Sequence, residues 1–125
     1  MEVTEMLNFN SALLFSDNHK ELAKFYEKAL DLKPAWIEGD FIGFQVGSGF
    51  LGIGKHDKVS GKNKTPERLM VGFEAEDVKK EFERIKKVGG KVVQEPYSPM
   101  ENSAMLLATF EDPDGNYFQI ASPMK

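Results

Sequence analysis

Two stretches of this 125-residue chain carry one pattern at an offset of 60 residues. Asp17, Lys20, Glu21, Leu22 and Phe25 meet Asp77, Lys80, Glu81, Phe82 and Ile85. In both places a strand-like run leads to an aspartate that suits a helix N-cap, then to an apolar stripe at helical spacing. Few folds accommodate a chain built as two copies of one supersecondary unit, so the repeat is read before any motif.

The first unit spans residues 7–55. A strand over 7–16 precedes the cap, and Leu22, Phe25, Tyr26, Ala29 and Leu30 mark one buried helix face. Pro34 stops the helix, and three short strands follow near 35–38, 41–46 and 50–55, separated by glycine turns. Residues 56–67 read as a linker; the stretch 55–66 is rich in lysine, poor in apolar residues, and expected to be solvated. The second unit spans 68–122. Its strand over 68–75 leads to Asp77, a stripe at Val78, Phe82, Ile85 and Val88, and a stop at Gly89-Gly90. A strand over 91–93 follows, then a proline-bearing loop over 94–103 that makes this unit longer by about seven residues. Last comes a hairpin, 104–110 and 117–121, around the turn Asp112-Pro113-Asp114-Gly115. The whole is predicted to be one α+β domain of two βαβββ repeats.

A net charge of −4 argues against a nucleic-acid partner, which favours a basic face. With no cysteine there is no disulfide, thiolate metal site or thiol nucleophile, in keeping with a reducing, cytoplasmic setting. The acidic first six residues lack the order of a signal peptide, and no apolar run approaches the ~20 residues a membrane span needs.

A duplicated βαβββ unit with Phe25-Tyr26 on its first helix, Gly89-Gly90 after its second and Asp112-Pro113-Asp114-Gly115-Asn116 before its last strand resembles the vicinal oxygen chelate superfamily. That group includes glyoxalase I, extradiol dioxygenases, fosfomycin resistance transferases and bleomycin resistance proteins. The resemblance implies an open, cup-shaped mixed β-barrel with helices outside, and a homodimer. Metalloenzymes of the group carry a histidine on the first strand of each unit and, commonly, a glutamate on the fourth. Carried onto this chain those positions are Asn10, Met70, Gly52 and Gln119. None offers a carboxylate or imidazole, so no metal and no cofactor is expected.

If Asn10 and Met70 point into the cup, alternation brings in Ala12, Leu14, Gly72 and Glu74, and Gln119 brings in Tyr117. Leu13, Phe15, Val71, Phe73, Phe118 and Ile120 would then form the core. Asn10, Met70, Tyr117 and Gln119, with the rim aromatics Trp36, Phe44 and Tyr97, are the candidate ligand-binding residues; Glu74 is the candidate acid or base. His19, in the first helical turn, is expected to be solvated, and His56 to lie at the surface. The expected function is a metal-free protein holding a small, partly apolar organic molecule. The alternative is a lyase or isomerase of the same group with a non-standard metal site or Glu74 as base, or a dioxygenase.

Overall fold

A computed structural model describes residues 6–101 and 103–123; the acidic segment 1–5 and Asn102 of the long loop lie outside it. The elements are β1 (Ser11–Phe15), α1 (His19–Leu30), β2 (Trp36–Glu38), β3 (Phe41–Val46), β4 (Gly49–Gly54), β5 (Val71–Glu74), α2 (Val78–Lys87), β6 (Lys91–Tyr97), β7 (Leu107–Glu111) and β8 (Tyr117–Ala121). A 3-10 turn, Pro66–Arg68, precedes β5. They form two four-stranded sheets of matching topology, β1-β4-β3-β2 and β5-β8-β7-β6, and neither closes into a barrel. In each, the first strand runs parallel to the fourth and the rest are antiparallel, so each half is a βαβββ unit. No helix among the described residues is long and apolar enough to cross a membrane.

One apolar core joins both units. Leu22, Phe25, Tyr26 and Ala29 of α1 and Val78, Phe82 and Ile85 of α2 are buried with Phe44, Leu51, Ile53, Phe110, Phe118 and Ile120 from the two sheets. The helix stripes are those the apolar spacing predicts. Rings connect the halves: Phe25 meets Phe118 edge-on with centroids 6.0 Å apart, and Phe118 stacks on Phe110 at 5.5 Å. At the helix ends, the Arg84 guanidinium donates to the Lys28 and Ala29 carbonyls at 3.0 and 2.6 Å, satisfying orphan acceptors at the end of α1.

The turn at Asp112 fastens the second unit to the first helix. The buried Asp112 carboxylate accepts from the Asp114 and Asn116 amides at 2.8 and 3.0 Å and from the Tyr26 hydroxyl at 2.7 Å. Burial pushes the Tyr26 phenol well above its usual range, and the Asp112 charge adds to this. Phe25-Tyr26 and the aspartate-rich turn, noticed separately in the sequence, are therefore two ends of one structural tie.

Residues 55–66 are exposed but pinned. The Gly61 amide donates to Asp17 Oδ2 at 2.9 Å, the Asn63 amide to the Asp114 carbonyl at 2.8 Å, and the Asn63 side chain to Asn116 at 2.9 Å. Gly115, at φ +84°, sits against the Asn63 backbone. Two helix starts also differ. Asp77 caps α2 as expected, accepting from the Lys80 amide at 3.1 Å. Asp17 does not cap α1: Ser16 Oγ accepts from the Asn18 amide, and the helix begins one residue later, with Asn18 in the cap position.

Candidate functional site

That one-residue shift changes which side chains share a face. The Ser16 amide bonds the Gly54 carbonyl as the Ala75 amide bonds the Ala121 carbonyl, so the two first strands correspond at an offset of 59 residues, Ser16 to Ala75. Ser11, Leu13 and Phe15 thus correspond to Met70, Gly72 and Glu74. Asn10 is displaced by one position; its carbonyl accepts from the Phe50 amide at 2.9 Å. Ala12 and Leu14 pack on the core, while Leu13 and Phe15 are exposed on the opposite, open side. The expected inward and outward sets of β1 are therefore exchanged. Those of β5 and β8 hold: Phe73, Phe118 and Ile120 pack on the core, and Gly72, Glu74, Tyr117 and Gln119 take the other side. Phe44, expected at the rim, is fully buried in the core, because Gly43 on its strand faces the other way.

Directly paired residues share a face. On the first sheet one row runs Leu13, Gly52, Gly43, Trp36. Its middle is glycine because rings occupy the space. A Cβ on Gly43 would lie 2.7 Å from Phe50 Cε1, and one on Gly52 would lie 2.8 Å from Leu13 Cδ2 and 2.9 Å from Phe41 Cε1. Trp36 stacks on Phe50 with centroids 4.4 Å apart and planes 12° apart; Phe41 lies 6.2 Å from Phe50 at 28°. A stacked pair of rings with Phe41 tilted beside it thus covers the open side, with Trp36 still 48% exposed. His56 meets Phe15 edge-on at 5.4 Å beside them.

The corresponding row of the second sheet is polar: Gly72, Gln119, Thr109, Gln94. The Gln119 amide reaches Thr109 Oγ1 at 3.4 Å. Glu74 and Tyr97 lie in the next row, joined through Ala121 and Leu107, and Tyr117 pairs with Glu111 on the same side. This sheet brings together Glu74, Tyr97, Tyr117 and Gln119. Trp36 belongs to the other sheet. A groove of about 270 Å³ links the two first strands and is lined by Asn10, Ala12, Phe50, Gly72 and Glu74. A second, of about 420 Å³, lies on the helix side among Leu30, Phe73, Asp77, Lys80 and Arg84.

The sequence profile of the glyoxalase/bleomycin resistance protein/dioxygenase superfamily matches residues 8–120. The chain belongs to that superfamily. No curated protein matches it. Among solved structures, a glyoxalase-related enzyme from Fulvimarina pelagi is 18% identical with a TM-score of 0.74, over 94% of this chain and 89% of that one. A glyoxalase/bleomycin resistance protein/dioxygenase family enzyme from Burkholderia phytofirmans PsJN is 17% identical at 0.72, over 92% and 98%. The hypothetical protein SA1046 from S. aureus is 22% identical at 0.69, over 97% and 96%. At these identities the likeness is one of fold.

Several enzymes of the glyoxalase/bleomycin resistance/dioxygenase superfamily hold a divalent metal, so the donor positions of this member bear on its chemistry. With the corrected register they are Ser11, Gly52, Met70 and Gln119. A hydroxyl, a hydrogen, a thioether and an amide do not fit a divalent transition metal, which wants deprotonated carboxylate, imidazole or thiolate donors. Among the described residues no three His, Asp or Glu side chains gather into a metal-holding group.

Proposed function

We propose that this superfamily member is a metal-free binding protein that holds a small, partly apolar organic molecule against the open faces of its sheets. One observation carries the reading: Trp36 stacks on Phe50, with Phe41 beside them, over Gly43 and Gly52, and the Trp36 ring is left half exposed. Such surfaces favour a flat apolar group by stacking. Gln119 and Tyr117 on the other sheet supply the few placed hydrogen-bonding groups that orient a ligand, with the buried Thr109 hydroxyl holding the Gln119 amide. The donor set at the four metal positions supports binding without an ion. Exposed Leu13, Phe15 and Trp36 on one open face favour a homodimer in which a second copy covers part of it.

A thermal-shift screen of small aromatic and aliphatic compounds, with and without chelator, tests this. A true ligand at 100 times its dissociation constant adds ~2.7 kcal/mol of stability. Stabilisation that survives chelator and is lost in Trp36→Ala supports the reading. Stabilisation that chelator abolishes, or that ignores Trp36→Ala, overturns it.

A further inference from the structure

The other histidine stands apart from the ligand face yet is connected to it. His19 opens α1 and, contrary to the solvated position its sequence context suggests, is buried, with its side chain only 10% exposed. Its Nε2 has no hydrogen-bond partner among the described residues, an unfavourable state for a buried polar atom. The carboxylate nearest to it, Asp40 Oδ1, lies 3.8 Å away and belongs to a side chain 68% exposed. No other carboxylate among the described residues comes within 4.0 Å of the ring nitrogens. On its own helix the neighbouring charges, Lys20 and Glu21, are exposed, and the preceding Asp17 is engaged by the Gly61 amide.

Asp40 sits in the turn of the β2–β3 hairpin, whose strands carry Trp36 and Phe41 onto the open face. Gly39, before it, takes φ +60° with nothing within 4 Å of a would-be Cβ, so no neighbouring side chain crowds the turn at that position. A charge-assisted N–H···O bond closes at about 2.7–2.9 Å, roughly 1 Å nearer than the observed separation.

We propose that His19 and Asp40 form a proton-operated latch on this hairpin. When the His19 ring takes up a proton, Nε2 becomes a charged donor, Asp40 swings in to meet it, and the hairpin shifts the Trp36 and Phe41 rings. The neutral ring releases the turn. Histidine is the side chain suited to such a change between about pH 5 and 8. The latch needs no ligand, so its test stands apart from the binding reading.

Trp36 is the only tryptophan, and it rides on the moving hairpin. Its emission, followed from pH 8 to pH 5 on the ligand-free protein, should change in a single one-proton step. Asp40→Asn, at an exposed turn position, should flatten that step, and so should His19→Asn. His56→Asn, at the only other histidine, should preserve it. Because His19→Asn risks misfolding, the Gly39 and Asp40 amide resonances of the wild type are followed as well; they should move with the midpoint of the His19 ring signals. A step that survives Asp40→Asn, one removed by His56→Asn, or a His19 ring that titrates while those amides stay still overturns the latch.

Discussion

Adding one methyl group to equivalent rows of the two sheets should have opposite effects. In Gly43→Ala the new Cβ falls 2.7 Å from Phe50 Cε1, far inside contact distance, so the Phe50 ring must retreat by roughly 1 Å. The ring is not free to do so cheaply, being stacked on Trp36 at 4.4 Å and flanked by Phe41. Overpacking of this kind costs about 1–3 kcal/mol, and each disturbed ring pair forfeits up to ~1.5 kcal/mol of that. Against this, replacing glycine inside a strand returns about 0.5–1 kcal/mol. The net expectation is a loss of about 1–2 kcal/mol with a shifted Trp36 emission maximum. Gly72, in the matching row of the second sheet, has nothing within 4 Å of its would-be Cβ. Gly72→Ala should therefore be neutral or stabilising by about 0.5 kcal/mol, with emission unchanged. Urea denaturation of both variants reads the difference. A Gly43→Ala protein as stable as wild type, with unaltered emission, would refute the claim that the rings rest on a glycine floor.

Further outcomes follow from the same contacts. Tyr26→Phe removes a donor from the buried Asp112 carboxylate and should cost roughly 1.5–3 kcal/mol in urea denaturation, since the bond is to a charged group. Because burial raises the Tyr26 phenol, its contribution is complete below about pH 10 and is lost as pH rises through the folded value; wild type should weaken there more than Tyr26→Phe does. Asp114 is raised by burial and by the Asp112 and Asp17 charges, against the pull of Ser16 and Lys62, so its stabilising contribution is full below about pH 3.9 and lost as pH rises. Asp114→Asn should therefore gain stability relative to wild type between pH 3 and pH 7, a trend visible in thermal melts. Phe110→Ala, at the junction of the aromatic chain, should cost ~3–5 kcal/mol by denaturant titration.

The repeat, both helix faces, the topology and the final hairpin were legible because each rests on periodicity or turn chemistry. The register between the copies was not. Asp17 and Asp77 invite alignment as twin caps, yet Ser16 captures the Asn18 amide and Asp17 bonds a glycine over forty residues away. Alternation along Ala12-Leu13-Leu14-Phe15 gives no correction, since all four are apolar and a one-residue slip leaves the pattern looking the same. Phe44 was misplaced for a related cause: its face follows from the pairing of Gly43 with Gly52, which only the strand register discloses. The second sheet read correctly because Phe73, Gln119 and Ile120 alternate in polarity or size. The 55–66 segment is exposed as its lysine-rich, apolar-poor composition predicts, while the long-range hydrogen bonds that pin it leave no mark in composition. His19 is buried because its place in the first helical turn says nothing about what packs against it.

Elemental analysis of protein purified without chelator, before and after dialysis against zinc, nickel, manganese and iron salts, bears most directly on the claim that Ser11, Gly52, Met70 and Gln119 leave the fold without an ion. The expected result is a metal content far below one ion per chain in every case. One tightly held ion per chain, lost when Gln119 is replaced by alanine, would contradict it.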